Sequence, residues 1–181
     1  MKVLLGVTSS IAAYRMPNFI SRGRKQGHQF RTMVTGKALQ FVTRQSLAIM
    51  SQHPCYRDRD EWGNTERILH IELTRWCDVL LIAPLTANTL AKLANGICDN
   101  LLTSAVRALG DKPLIIAPAM NTRMWENPFT ARQIETLRVI YTLTVIEPIE
   151  KQLAEGEIGM GALAENEAIL STLQRIASQL P

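Results

Sequence analysis

The residues best suited to chemistry in this chain follow directly after its most apolar runs. The segment Gly6-Val7-Thr8-Ser9-Ser10-Ile11-Ala12 puts three hydroxyls at the start of a helix. Hydroxyls and free backbone N–H groups at such a point can hold a phosphate, although Ser and Thr are also ordinary helix caps. Thr35 stands at the equivalent place after Gln29–Val34. Pro84-Leu85-Thr86-Ala87-Asn88-Thr89 follows the run Val79–Ala83, and Pro118-Ala119-Met120-Asn121-Thr122-Arg123-Met124-Trp125 follows Pro113–Ala117. Asn121 stands out, because a polar amide at the end of a buried strand needs partners. Met120 and Met124 read equally well as adaptable core filler. His70, within Ile68-Leu69-His70-Ile71-Glu72-Leu73, is the candidate for proton transfer, since histidine titrates near neutrality. A lone histidine among apolar residues is also an ordinary packed or surface group. His28 and His53 have less context still.

These groups need a scaffold that gathers strand ends. Val3–Val7, Gln29–Val34, Val79–Ala83, Pro113–Ala117 and Thr142–Ile146 read as strands. The third and fourth are continuous apolar runs, the pattern of parallel strands covered on both faces. Helices are expected over Ile11–Arg24, with Pro17 as an irregularity, in short stretches of Ala38–Met50, over Asn88–Leu109 with a break at Asn95-Gly96, over Pro128–Arg138, and over Asn166–Gln179 with Asn166 as cap. Pro54–Asn64 reads as a mobile loop and Lys151–Gly161 as a glycine-punctuated loop. Alternating strands and helices predict an α/β, doubly wound parallel sheet. Ligands bind at the carboxyl ends of such strands, near a topological switch point.

Composition narrows the function. The chain has 181 residues, 46% hydrophobic and 20% charged, as expected of a globular domain with a sizeable core. We read residues 1–181 as one domain. Its apolar runs are far shorter than the roughly 20 residues of a membrane helix. The N-terminus reaches glycine and hydroxyl residues too soon for a signal peptide, so a cytoplasmic location is expected. A net charge of +4 can attract anionic small molecules but is too mild to imply nucleic acid. Cys55, Cys77 and Cys98 lack the pairing or spacing of a disulfide framework or a zinc motif, and no metal site is expected. Neither G-x-G-x-x-G nor a Walker lysine motif is present. Hydroxyl, amide and thioether groups at four strand ends suit a flat, polar-edged, phosphorylated cofactor better than a metal.

Taken together, these segments resemble the flavin-containing cysteine decarboxylases. Pro118–Trp125 is similar to their P-x-M-N-x-x-M-W signature, and His70-Ile71-Glu72-Leu73 to their active-site histidine segment. Gly6–Ala12, Pro84–Thr89 and Asn95–Leu102 resemble their flavin-binding segments. The likeness spans nearly the whole chain, in order. Flavin prenyltransferases lack the His70-type and Asn121-type motifs and are set aside. The resemblance implies a flavodoxin-like three-layer flavoprotein, FMN as cofactor, and a homo-oligomer built from trimers (a homotrimer or homododecamer) with the site between subunits. By position, it implies His70 as base and Asn121 on the substrate carboxylate, with Met124 in the same signature. Thr8, Ser9, Ser10 and Thr35 would lie near the FMN phosphate and ribityl chain. Asn88, Thr89, Asp99 and Leu101 would lie near the flavin. Gly6, Pro84, Thr86, Ala87 and Met120 complete the cofactor-binding set.

The family's phosphopantothenoylcysteine branch carries an A-C-G-D type segment in a flap over the substrate. The matching stretch here is Leu153-Ala154-Glu155-Gly156-Glu157-Ile158-Gly159-Met160-Gly161. Ala154 and Gly156 would touch substrate, and Glu155 stands in place of the cysteine. The resemblance implies FMN-dependent decarboxylation of 4'-phosphopantothenoylcysteine to 4'-phosphopantetheine, with Glu155 or another acid replacing the usual cysteine in the last step. The departure at Glu155 leaves two alternatives: oxidative decarboxylation of a peptidyl C-terminal cysteine to an enethiol, as in the lantibiotic branch, and a non-enzymatic flavin-binding regulatory subunit.

Overall fold

The computed structural model describes residues 1–63, 67–152, 156 and 158–180. In chain order its elements are β1 (Lys2–Val7), a 3₁₀ segment at Ile11–Arg15, α1 (Met16–Lys25), β2 (Gln29–Val34), a second 3₁₀ segment at Gly36–Gln40, α2 (Arg44–Ser51) and β3 (Cys55–Tyr56). Then come α3 (Asp58–Trp62), α4 (Leu69–Trp76), β4 (Val79–Leu85), α5 (Ala87–Ala94), α6 (Leu101–Arg107), β5 (Leu114–Pro118) and α7 (Thr122–Trp125). The chain closes with α8 (Pro128–Ile140), β6 (Leu143–Val145), β7 (Ile149–Gln152), β8 (Ile158–Ala162) and α9 (Asn166–Ala177).

Six strands form one parallel sheet in the order β3-β2-β1-β4-β5-β6. Without the two-residue edge strand β3, this is the flavodoxin-like order, with its switch point between β1 and β4. Side chains alternate across the sheet. Leu5, Leu81 and Ile115 pack with Phe19 of α1 and Leu173 of α9. Leu4, Leu80 and Ile116 pack with Leu73 of α4 and Leu102 of α6 on the opposite face. Both faces being covered is why β4 and β5 are apolar at every position.

Three segments depart from the sequence reading. The helix expected over Ile11–Arg24 is a 3₁₀ segment followed by α1, with Pro17 in the first turn of α1, where a missing N–H costs nothing. Pro54–Asn64, read as a mobile loop, contains β3 and α3. Tertiary bonds fix them: Arg44 donates to the Cys55 carbonyl (2.7 and 3.0 Å) and to Asp60 (2.8 Å), while Asp60 accepts from the Arg57 N–H (2.9 Å). Within Lys151–Gly161, read as a loop, residues 151–152 and 158–161 belong to the antiparallel strands β7 and β8. In addition, Glu165 and not Asn166 occupies the cap position of α9. Asn166 is buried instead, donating to Asn18 and accepting from Arg15.

The switch point is stitched by one side chain. Thr8, fully buried after β1, donates its hydroxyl to the Pro84 carbonyl (2.7 Å) and accepts from the Thr86 N–H (3.0 Å). Its own N–H also reaches the Pro84 carbonyl, at 3.3 Å. Thr8→Val keeps the shape and removes the hydroxyl, stranding the Thr86 N–H. It should lower the unfolding free energy by about 1–3 kcal/mol, or some 2–4 °C of Tm per kcal/mol in a chain of this size. Thermal unfolding followed by circular dichroism measures this; an unchanged Tm would show that the junction does not depend on the hydroxyl.

Candidate active site

Two adjoining cavities open at the carboxyl end of the sheet. The first, of about 870 Å³, is lined by Thr35, Leu39, Thr89, Lys92, Asp99 and Leu101, among others. The second, of about 630 Å³, is lined by Ser10, Ala87, Met120, Asn121, Met124 and Gly161, among others. Ser9, Thr86 and Asn88 border both. The two cavities are therefore lobes of one groove, divided by the loops after β1 and β4. Each lobe falls within the roughly 300–1,000 Å³ of small-molecule sites.

Most residues singled out from sequence converge here. Ser9, Thr35, Thr86, Asn88, Thr89, Asp99 and Leu101 line the first lobe. Ser10, Ala87, Met120, Asn121 and Met124 line the second. Thr8 and Pro84 lie beneath the groove, bonded to each other, and border neither lobe. Gly6 also borders neither. It lets α6 approach β1, since a Cβ there would fall 2.7 Å from Leu102 Cδ1. Gly156 is exposed and outside both linings. Ala154 and Glu155 lie outside the described residues.

The first lobe carries the polar equipment for an anionic group. The Ser9 and Thr35 hydroxyls are 3.1 Å apart and hydrogen-bonded. Thr86 caps α5, whose first N–H groups, at Ala87 and Asn88, have no intrahelical acceptor by the geometry of any helix start. Lys37, Arg57, Arg59 and Lys92 add positive charge. Sequence reading missed these four; two lie in the stretch taken for a mobile loop. A hydrogen bond from the Lys92 ammonium holds the Asp99 carboxyl below the usual carboxylate range. Met33, Leu39 and Leu102 supply apolar surface.

In the second lobe, Asn121 sits on the turn between β5 and α7. Its Oδ1 accepts from the Arg123 N–H at 2.8 Å, which fixes the carboxamide as the cap of α7. Hairpin β7–β8 is seated on this turn. The Met120 N–H donates to the Gly161 carbonyl at 3.0 Å. A Cβ on Gly161 would lie 2.1 Å from the Met120 carbonyl oxygen, and one on Gly159 would lie 2.3 Å from Thr122 Oγ1. Only glycine permits that approach. At the rim, a hydrogen bond from Lys151, helped by the charge of Arg15, keeps the Glu165 carboxyl below its ordinary range.

His70 is not brought to Asn121. It lies in the first turn of α4 and lines neither lobe. Its neighbour is Glu61 of α3, whose Oε1 is 2.5 Å from His70 Nδ1 and whose Oε2 accepts the His70 N–H at 3.1 Å. Sequence reading missed Glu61, because no periodicity links it to His70. Cys55 and Cys77 are buried and Cys98 is exposed; burial pushes the Cys77 thiol up to about 11. Among the described residues, no three or more His, Cys, Asp or Glu side chains gather as a metal site, and no helix is long and apolar enough to cross a membrane.

Comparison with known proteins places this geometry. The family model described as Flavoprotein matches residues 1–178. A phosphopantothenoylcysteine decarboxylase of Oryza sativa subsp. japonica is 44% identical over 185 residues, covering 99% of this chain and 82% of its own length. A mutant PPC decarboxylase complexed with pantothenoylaminoethenethiol superposes with a TM-score of 0.90 at 45% identity, covering 98% of each chain. The FMN-binding protein AtHal3 superposes at 0.86 and 45% identity, covering 99% of this chain and 98% of its own. The peptidyl-cysteine decarboxylase EpiD superposes at 0.80 and 28% identity, covering 96% and 98%.

The glycine seat of the hairpin can be tested. Gly161→Ala should unseat β8 from the Asn121 turn and raise hydrogen–deuterium exchange across 149–162, while β1, β4 and β5 stay protected. Unchanged exchange in 149–162 would mean the close approach is dispensable.

Proposed function

The chain belongs to the Flavoprotein family, and we propose that it catalyses the FMN-dependent decarboxylation of 4'-phosphopantothenoylcysteine to 4'-phosphopantetheine in coenzyme A biosynthesis. The observation that carries this reading is the shared wall of Ser9, Thr86 and Asn88. It sets a lobe built for a phosphorylated, partly apolar cofactor beside a lobe that presents Asn121. The relatives named for this reaction support it. We read residues 1–181 as one flavoprotein domain and its location as cytoplasmic.

The first lobe fits FMN. Ser9, Thr35 and the start of α5 would hold the phosphate and ribityl chain, and the Leu101 side would take the ring. When bound, FMN supplies the hydride acceptance that gives a cysteine carboxylate the electron sink it otherwise lacks. Asn121 positions the substrate carboxylate, with Met124 beside it. His70 takes the thiol proton as general base. Loss of CO₂ leaves an enethiol on the substrate, and completing the redox-neutral cycle needs the hydride returned from the reduced cofactor together with an acid to protonate the enethiol carbon. Glu155 is our candidate, standing where the family carries cysteine. Ala154 and Gly156 flank it in the flap.

A trimer-based assembly, as homotrimer or homododecamer, completes the site in this reading. His70 and Asn121 lie apart in one chain, so His70 of one copy would serve the Asn121 lobe of another. The exposed Trp62 (79%) and Ile68 (63%) near His70 support a covered surface there.

Glu155 also favours a second reading, in which the enethiol is released and the substrate is a cysteine-ended peptide. Mass spectrometry after incubating the FMN-loaded protein with 4'-phosphopantothenoylcysteine separates the two. Loss of CO₂ alone is expected. Loss of CO₂ and two hydrogens would favour the oxidative reaction, and no change in an FMN-loaded protein would sink the first reading. Glu155→Gln should stop the reaction at the enethiol; full turnover by that variant would remove Glu155 as the acid.

A further inference from the structure

We propose that Glu61 is a positioning residue for this reaction: its carboxylate grips His70 at both the backbone and Nδ1 and leaves Nε2 as the proton-accepting atom. The inference rests on the reading of His70 as base. Glu61 has a side chain only 7% exposed, and His70 is 27% exposed. Both Glu61 oxygens are spent on the same residue, Oε2 on the N–H (3.1 Å) and Oε1 on Nδ1 (2.5 Å). A buried carboxylate is costly unless hydrogen-bonded. Among the described residues no Lys or Arg pairs with Glu61.

Two consequences follow from donor chemistry. A carboxylate is an acceptor only, so the nitrogen facing it carries the proton. In the neutral ring, Nε2 then holds the lone pair. The second consequence concerns the helix. Ile68, at the cap position of α4, offers no side-chain acceptor; Glu61 supplies one from another element, which fixes the turn that bears the imidazole.

Glu61 is itself held firmly. α3 is tied to α2 by the Arg44–Asp60 pair at 2.8 Å and to α6 by Asp58, whose Oδ1 accepts the Leu101 N–H at 3.0 Å. Leu101 lines the first lobe. The same five-residue helix therefore references both the His70 ring and the wall of the cofactor lobe. This is the arrangement by which carboxylates orient histidine bases and metal ligands elsewhere.

Glu61→Gln separates orientation from capping. Glutamine keeps an oxygen for the His70 N–H but then presents its amide N–H to Nδ1, which favours the opposite tautomer. Solid-state ¹⁵N NMR of histidine-labelled, FMN-loaded protein reads the tautomer directly, with the His70 signals assigned by their loss in His70→Asn. The expected result is Nδ1–H with bare Nε2 in the unaltered protein and Nε2–H in Glu61→Gln. With 4'-phosphopantothenoylcysteine, kcat should fall by about 100-fold or more while KM changes less than about threefold. Glu61→Asp keeps an acceptor-only group and should retain the Nδ1–H signal. An Nε2–H ring in the unaltered protein overturns the proposal without any variant or any turnover. So does an unchanged tautomer or an unchanged kcat in Glu61→Gln. An unaltered protein with the expected tautomer but no turnover would instead overturn the functional reading.

Discussion

One buried hydroxyl fastens two strand ends where the chain must diverge. At the switch point the segments after β1 and β4 leave for opposite faces of the sheet, which opens a crevice there. The backbone ties the two ends through the β1–β4 pairing and the bond from the Thr8 N–H to the Pro84 carbonyl. The side-chain bridge from Thr8 to the Pro84 carbonyl and the Thr86 N–H carries that spacing past the last paired residues. Ser9 and Ser10 on one side, and Thr86 and Asn88 on the other, inherit their positions from it.

Around that junction the two lobes divide their chemistry. The first gathers lysine, arginine and hydroxyl groups with apolar surface. The second is built from a capped amide turn, a methionine pair and a hairpin seated through its backbone. At its rim one carboxylate, Glu165, is shared by two cations, Lys151 and Arg15, which leaves one positive charge in excess.

The parts of this fold legible in the sequence are those whose cause is local. β4 and β5 announce themselves because burial on both faces makes every residue apolar. The residues just beyond them, including Asn88 and Asn121, could then be placed at the carboxyl edge of the sheet, where both line the groove. α3 was illegible because it is five residues long and owes its existence to Arg44, Asp60 and Leu101, each distant in sequence or tied through a side chain. β7 and β8 show little burial pattern, because they pack through glycine backbone rather than an apolar face. Gly6 and Thr8 were placed correctly in the chain but read as ligand contacts. The structure uses them one layer down, for helix approach and strand fastening. Glu61 escaped notice because a carboxylate nine residues before a histidine has no meaning until α3 packs against α4.

The hairpin's glycine seat also bears on how such chains can diversify. Because β8 is located by backbone contact at Gly159 and Gly161, the seat does not depend on the outward side chains of β7 and β8, Glu150, Lys151 and Ile158 among them. Those residues can change without disturbing the framework that presents them. Related chains could then vary the exposed surface of the hairpin while inheriting one seat unchanged.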